Sequence, residues 1–139
     1  MKTIKGGCLC NQIRYQIFKK PLFTSVCHCK NCQKQCGTAF SIILVVERNS
    51  IKIEGDLSIY IDRGDSGNEV LRKFCKNCGS PILSEIDATP HLYFLKAGTL
   101  DDAKNLSPTR EIYVKNKLKC LSVIQNTEQY KSGYFARKN

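Results

Sequence analysis

The stretch Cys75-Lys76-Asn77-Cys78-Gly79 forms a CxxCG knuckle, a turn typical of zinc sites. Its tight bend places two thiolates on one side, and the glycine allows backbone amides to approach the sulfurs. Because tetrahedral Zn²⁺ takes four ligands, the knuckle needs a second pair of cysteines. The other clean pair in the chain is Cys8 and Cys10. The sequence therefore predicts one closed structural site that ties the N-terminal strand to the middle of the chain.

A second cysteine cluster, Cys27-His28-Cys29-Lys30-Asn31-Cys32, places three thiols within six residues. Three protein ligands and an open fourth position are the arrangement of a catalytic zinc, where water or a substrate thiol binds. The spacing leaves two alternatives: a closed site completed by His28 or Cys36, or a single zinc with the remaining thiols free. Lone cysteines are most often small buried hydrophobes, and this is the expectation for Cys36 and Cys120.

The composition is that of an ordinary globular protein. A length of 139 residues, with 42% hydrophobic and 24% charged residues, predicts a single domain over 1–139. The longest apolar run, 42–46, is strand-sized, and the first eight residues lack the apolar core of a signal peptide. We therefore expect a cytoplasmic protein without a membrane span. Nine cysteines in a reducing compartment indicate metal binding or catalysis, and a formal charge of +10 favours an anionic partner.

The hydrophobic pattern predicts a mainly β fold. Strands are expected at 12–18, 40–46, 51–56, 57–62, 69–74, 82–86 and 91–96. The run at 40–46 has the β-branched character of a strand buried on both faces. The segments 51–56 and 57–62 predict a hairpin that turns at Gly55-Asp56. Helical turns are considered only for 33–36 and 100–105, and the polar tail at 134–139 is expected to fray.

Four motifs follow one another along the chain: GGCLCNQIRY at 6–15, CHCKNCQK at 27–34 with GTAF at 37–40, FCKNCGSPI at 74–82, and AGTLDD at 97–102. In this order they resemble the glutathione-dependent formaldehyde-activating (GFA) enzyme family. Weaker matches follow at 106–108 and 112–113. The chain departs from the family in having no tryptophan, where members commonly carry one near the position of Cys120.

The resemblance implies an Mss4-like, or β-tent, fold of antiparallel sheets held by zinc. It implies two Zn²⁺ ions: a structural ion bound by Cys8, Cys10, Cys75 and Cys78, and a catalytic ion bound by Cys27, Cys29 and Cys32. It also implies carbon–sulfur lyase chemistry, in which glutathione and formaldehyde combine reversibly to S-(hydroxymethyl)glutathione. A zinc enzyme acting on another small electrophile is an alternative that the sequence does not separate from this one.

Glutathione is anionic, so its carboxylates need positively charged partners. Lysines beside the cysteine clusters are the candidates: Lys30, Lys34, Lys73 and Lys76. The alternative function is a zinc-containing nucleic-acid or protein binding module without catalysis. Its basis is the basic segment 115–119, with Tyr113 nearby for stacking on bases. The chain has no aromatic-rich RNA-binding motif and no recognition-helix pattern, and nothing in it indicates the oligomeric state.

Overall fold

Two β-sheets account for much of residues 2–133, the part of the chain that the computed structural model describes. The smaller sheet consists of β1 (Ile4–Gly7), β2 (Arg14–Ile17) and β5 (Ile51–Glu54), in the order β1-β2-β5. All of its pairings are antiparallel. The mainly β prediction is confirmed, whereas the predicted fraying tail at 134–139 lies outside the described residues.

The larger sheet has eight strands in the order β11-β10-β3-β4-β9-β8-β7-β6. The strands are β3 (Phe23–Cys27), β4 (Ser41–Glu47), β6 (Leu57–Arg63), β7 (Glu69–Cys75), β8 (Pro81–Ile86), β9 (Leu92–Lys96), β10 (Arg110–Ile112) and β11 (Glu128–Gln129). Neighbours are antiparallel except that β10 runs parallel to both β3 and β11. The sheet is therefore mixed at one end.

Strand β4 separates two apolar layers, and this explains its unbroken hydrophobic run. Leu44 and Val46 belong to a core cluster shared with the smaller sheet, to which Tyr15 and Ile17 contribute. Ile43 and Val45 belong to a second cluster on the opposite face, together with Phe94, Ile112 and the cysteines at 27, 29 and 32. Because side chains alternate along a strand, β4 needs apolar residues on both faces, as predicted.

The predicted hairpin over 51–62 is wrong, although both strands exist. Strand β5 pairs with β2 in the smaller sheet, and β6 pairs with β7 in the larger one. Gly55 has a φ of 96°, and a Cβ added there would lie 2.3 Å from the carbonyl oxygen of Gln12. The close approach of these two backbones requires glycine, and the chain changes sheets at this point instead of folding back on itself.

The segment 100–105 is not helical, so that expectation is also wrong. Leu100 forms an isolated bridge with Gly6, and the Asp101 amide donates to the carbonyl of Lys5 at 3.0 Å. The Asp101 carboxylate also accepts from the guanidinium of Arg14. These contacts hold Leu100 and Asp101 beside β1, and a turn follows at 104–105.

The helix α1 (Lys30–Cys36) covers one face of the larger sheet, and it contains the predicted helical segment 33–36. It starts directly after β3, yet Asn31 donates to Asp62 Oδ2 on β6 at 2.9 Å. Four strands separate β3 from β6 in the sheet, a span of about 24 Å in a flat sheet. A seven-residue helix is only about 10 Å long, so the sheet must curve beneath it. Within residues 2–133, no helix is long and apolar enough to span a membrane.

Candidate metal centres and the adjoining cavity

The first candidate metal centre is the four-thiol cluster, defined as Cys8, Cys10, Cys75 and Cys78. Two of these cysteines lie in the turn after β1, and the other two lie at the end of β7 and in the turn that follows it. Their sulfur atoms all lie within 4.8 Å of one another. The structure thus brings together the two pairs that the sequence analysis joined, across more than sixty residues of chain.

The geometry of the four-thiol cluster fits a tetrahedral zinc site. Cys10 Sγ lies 3.5 Å from Cys8 Sγ and 3.7 Å from Cys75 Sγ. Four sulfurs at the usual Zn–S distance are about 3.8 Å apart, whereas a disulfide requires about 2.05 Å. The Ile13 amide donates to Cys8 Sγ at 3.2 Å, the kind of contact that orients a metal ligand. Hydrogen bonding from the Ser80 hydroxyl lowers the pKa of Cys78 to about 5, which favours the thiolate that zinc binds.

The second candidate centre is the three-thiol cluster of Cys27, Cys29 and Cys32, which is fully buried. Cys27 ends β3, and Cys29 is the N-cap of α1, where its sulfur accepts from the Cys32 amide at 3.3 Å. Hydrogen bonds from the Cys27 and Cys29 thiols hold the pKa of Cys32 well below its ordinary value of 9.0. The strand end and the first helical turn therefore converge on one set of soft donors, which suits Zn²⁺.

Within residues 2–133, neither alternative fourth ligand joins the three-thiol cluster. His28 points away from it, and its Nε2 lies 2.9 Å from Glu111 Oε1. Cys36 is half-buried on α1 and donates to the side-chain oxygen of Gln35. The expectation of buried lone cysteines is wrong for Cys36 and more clearly for Cys120, which is exposed.

A cavity of about 470 Å³ opens directly onto the three-thiol cluster, a volume typical of small-molecule sites. It lies on the concave face of the larger sheet. The apolar part of its lining includes Phe23, Ile43, Val70, Ile86, Leu92 and Phe94. The three thiols thus face a concave, mostly apolar space, and no further metal-binding side chain within residues 2–133 lies between them and it.

Two buried cations line this cavity beside the thiols. Arg72 Nη1 lies 4.0 Å from Cys32 Sγ, and its Nε donates to Asp62 Oδ2 at 2.7 Å. Lys96 is 5% exposed, and among the described residues its Nζ has one hydrogen bond, to the Ser41 hydroxyl at 3.3 Å. Both positive charges lower the pKa of Cys32 further, after the hydrogen bonds from its neighbouring thiols. They are placed to offset negative charge at the cluster.

The four lysines expected to receive carboxylates lie outside the cavity. Lys30, Lys34 and Lys76 are exposed, and Lys73 forms an ion pair with Glu85. The sequence analysis chose these lysines because they lie next to cysteines in the chain. The cations that line the cavity are instead Arg72 on β7, Lys96 on β9 and Arg110 on β10. For Lys96 the available signal was a single cation after the apolar run Leu92-Tyr93-Phe94-Leu95. Strands β7 and β10 contain further charged residues, so their sequences do not single out Arg72 or Arg110.

Tyr113 also lines the cavity and packs against the three-thiol cluster. Its backbone is left-handed, with φ of 55° and ψ of 39°, a conformation rare for an aromatic residue. The amide of Tyr113 donates to the Ser132 carbonyl at 3.0 Å, which helps to hold this conformation. Burial raises the pKa of its phenol to about 12, so the hydroxyl stays protonated at neutral pH.

Comparison with known proteins adds an independent observation. The family model described as glutathione-dependent formaldehyde-activating enzyme matches residues 3–116, a range that contains both cysteine clusters. This chain belongs to the GFA family. The family description and the lyase-named relative below support an enzymatic lyase activity in the broad sense.

Three proteins similar to this GFA protein share less than 30% of its residues. An uncharacterized lyase of Schizosaccharomyces pombe is 23% identical over 130 residues, which cover 94% of this chain and 92% of the relative. A protein of Colletotrichum graminicola, provisionally named a glutathione-dependent formaldehyde-activating enzyme, is 27% identical over 92 residues, 64% of this chain and 46% of its own length. A crystal structure of a Rhodobacter sphaeroides protein has a TM-score of 0.57, with 19% identity over 73% of this chain and 91% of that one. That likeness supports the fold.

A buried carboxylate supports the cysteine loop of this GFA protein from behind. The side chain of Glu111 is 0% exposed. Its oxygens accept hydrogen bonds from His28, Lys117, the Ile124 amide, Thr127 and Gln129. Because a carboxylate only accepts, His28 Nε2 must carry the proton. Glu111 therefore links the cysteine loop to the segment 117–129.

Replacing Glu111 with glutamine is expected to destabilise the protein by about 3 to 5 kcal/mol, because it breaks a buried charged network. Burial alone would raise the pKa of Glu111, but the hydrogen bonds from Gln129, His28 and Lys117 lower it to about 2. A folded pKa below the ordinary value of 4.5 gives stability that is complete above that value and is lost as the pH falls toward 2. Urea unfolding of both proteins between pH 2 and 7 measures this difference.

The matched control for this prediction is Glu54→Gln, because Glu54 is exposed and its one ion pair within residues 2–133 is with exposed Lys52. Its effect should stay within about 0.5 kcal/mol at every pH. The prediction would be wrong if Glu111→Gln lowered the free energy of unfolding as little as Glu54→Gln does. It would also be wrong if the loss caused by Glu111→Gln became larger as the pH falls.

Proposed function

We propose that the three-thiol cluster holds Zn²⁺ and that the cavity binds glutathione for its reversible addition to formaldehyde. The observation that carries this proposal is the position of three buried thiols at the wall of a cavity, with no fourth protein donor among residues 2–133. Bound there, Zn²⁺ would supply a Lewis acid that lowers the pKa of a thiol and favours its thiolate form. Soft sulfur donors are the ligands that suit this ion.

The residues of the cavity have definite tasks in this proposal. Three cysteine thiolates and a substrate thiolate around Zn²⁺ would leave a net charge of about −2, and Arg72 and Lys96 lie where they offset part of that charge. The apolar walls reduce the access of water, which would otherwise compete for the aldehyde. Sequestration strengthens each remaining electrostatic contact.

The reaction needs no oxidant or reductant. A lone pair of the glutathione sulfur forms the new bond to the carbonyl carbon, and the π electrons of formaldehyde move to oxygen. The proton that the thiol released ends on that oxygen and makes a hydroxyl group. Tyr113, a protonated phenol at the cavity wall, is placed to donate a hydrogen bond to this oxygen.

The binding-module alternative has less support. Tyr113 lies in the cavity wall and not on an exposed stacking surface. Lys117, in the middle of the basic segment, donates to buried Glu111 at 3.0 Å. Two of the residues on which nucleic-acid binding was based thus have partners inside the protein.

Isothermal titration with glutathione in two buffers of different ionisation enthalpy tests the proposal. We expect binding at millimolar concentration or tighter, with release of about one proton, because the thiolate is the bound form. S-methylglutathione, which cannot form a thiolate, should bind at least about tenfold more weakly. The addition itself should be measured by NMR with ¹³C-formaldehyde, as faster exchange between free aldehyde and hydroxymethyl product.

An oligonucleotide titration at physiological salt is the counter-test. A nucleic-acid module should retain affinity there, with a steep dependence on salt concentration. Such binding, combined with no glutathione binding, would replace the enzyme by the binding module. If neither ligand binds, glutathione is the wrong substrate.

A further inference from the structure

Arg110 is a cavity cation that no described residue neutralises. It lies on β10 and lines the cavity, and its guanidinium carbon lies 4.2 Å from the centre of the Phe23 ring. Its Nε is buried without a hydrogen-bond partner, and none of the ion pairs within residues 2–133 includes it. Glu128, its neighbour in register on β11, accepts from the Tyr130 hydroxyl. Buried donors normally have partners, so this one indicates a ligand.

The distance between Arg110 and the three-thiol cluster sets the length of a ligand that could contact both. Phe23 and Cys27 are the two ends of β3, four residues and about 13 Å apart along the strand. Arg110 pairs in register with Ser25, and Ile112 pairs with Cys27. The guanidinium above Phe23 is therefore about one strand length from the three-thiol cluster. After a contact at each end, the remaining distance matches two to three residues of extended chain.

The lining of the cavity offers two further polar groups without hydrogen-bond partners among the described residues. They are Ser84 Oγ and Thr89 Oγ1, and both are buried. Ser84 is in register with Phe94 on one side and Arg72 on the other, so it lies on an interior strand of the sheet. Hydroxyl groups both donate and accept, and peptide groups need both. A ligand with a peptide backbone would satisfy them.

We propose that Arg110 binds a terminal carboxylate of a peptidyl thiol whose sulfur lies at the three-thiol cluster. The cavity then selects thiols by the distance between sulfur and carboxylate, and small thiols bind without this contact. The planar guanidinium stacked on Phe23 is pre-oriented, which suits a two-point contact with a carboxylate. This inference rests on the proposed function and assigns the part of the site that distinguishes a tripeptide thiol from a small one.

The test compares Arg110→Met and Arg110→Lys with the wild type by titration with glutathione and with 2-mercaptoethanol. Methionine keeps an unbranched side chain against Phe23 and removes the charge. We expect Arg110→Met to weaken glutathione binding about 10- to 100-fold, the range for losing hydrogen bonds to a charged group. Binding of 2-mercaptoethanol should change less than twofold, which also shows that the variant is folded. Arg110→Lys should have an intermediate affinity for glutathione, because it keeps the charge without the fork.

The matched control is Arg48→Met, because Arg48 also stacks on an aromatic ring, that of Tyr93, but lies outside the cavity lining. It should leave both affinities unchanged. The glycyl monoethyl ester of glutathione identifies the carboxylate: if Arg110 binds that group, the ester binds weakly to the wild type and is insensitive to Arg110→Met. If the ester behaves like glutathione, Arg110 binds the carboxylate of the γ-glutamyl end.

The outcomes separate this inference from the proposed function. Glutathione binding that Arg110→Met leaves unchanged overturns the role of Arg110 and keeps the thiol site. An equal loss of glutathione and 2-mercaptoethanol affinity also overturns it, because the substitution would then act on the whole cavity. A wild-type protein that binds 2-mercaptoethanol but not glutathione overturns both.

Discussion

Replacing Cys75 with serine is expected to leave the protein unfolded under conditions in which the wild type is folded. Cys75 is buried in the four-thiol cluster, which joins the turn after β1 to the end of β7 and so connects the two sheets. Structural zinc contributes about 10–16 kcal/mol of folding free energy in small zinc domains. This is as large as the whole stability of a typical domain, about 5–15 kcal/mol. Thermal melts followed by circular dichroism measure the loss.

Metal content and a matched variant complete this experiment. Elemental analysis of the freshly purified wild type should give two zinc ions per chain, one for each cluster. Cys120→Ser makes the same chemical change at an exposed cysteine outside both clusters, so its melting temperature and zinc content should equal those of the wild type. One zinc or none in the wild type would refute the expectation of two zinc ions. A Cys75→Ser variant that melts like the wild type would refute a structural metal at the four-thiol cluster.

Replacing Cys29 with serine is expected to give a folded protein that has lost one zinc ion and at least about 100-fold in activity. Cys29 is the N-cap of α1, and serine is among the best N-cap residues, so the helix should still begin at the same place. The substitution therefore removes a metal donor with little damage to the backbone. A metal ion that activates a nucleophile contributes several kcal/mol to a reaction, and each 1.36 kcal/mol is a factor of ten in rate.

The control for this second substitution is Cys36→Ser on the same helix. Cys36 is half-buried, lies outside the three-thiol cluster and contacts the side chain of Gln35. Its serine variant should keep both zinc ions and full activity with glutathione and formaldehyde. If Cys29→Ser unfolds as completely as Cys75→Ser, the division into a structural and a catalytic cluster is wrong, and full activity of Cys29→Ser would exclude its sulfur from the reaction.

Local chemistry made both cysteine clusters predictable. A CxC, a CxxCG or a CxCxxC segment places its thiols together by turn geometry alone, because the ligands are at most a few residues apart. The demand of zinc for four ligands then suggested which two pairs meet, and the structure brings those pairs within 4.8 Å. The β-branched run of β4 was equally local, because alternation along one strand reports whether both of its faces are buried.

Contacts between distant strands were not predictable in this way. Whether β5 continues into a hairpin depends on the free edge of β2, which lies in another part of the chain, and the turn at Gly55 is compatible with both outcomes. The cations of the cavity come from β7, β9 and β10, so their convergence depends on the curvature of an eight-stranded sheet. Cysteine spacing is a property of a few consecutive residues, whereas a cavity is formed by strands that are adjacent only after folding. The role of Arg110 could therefore be inferred only from the tertiary structure.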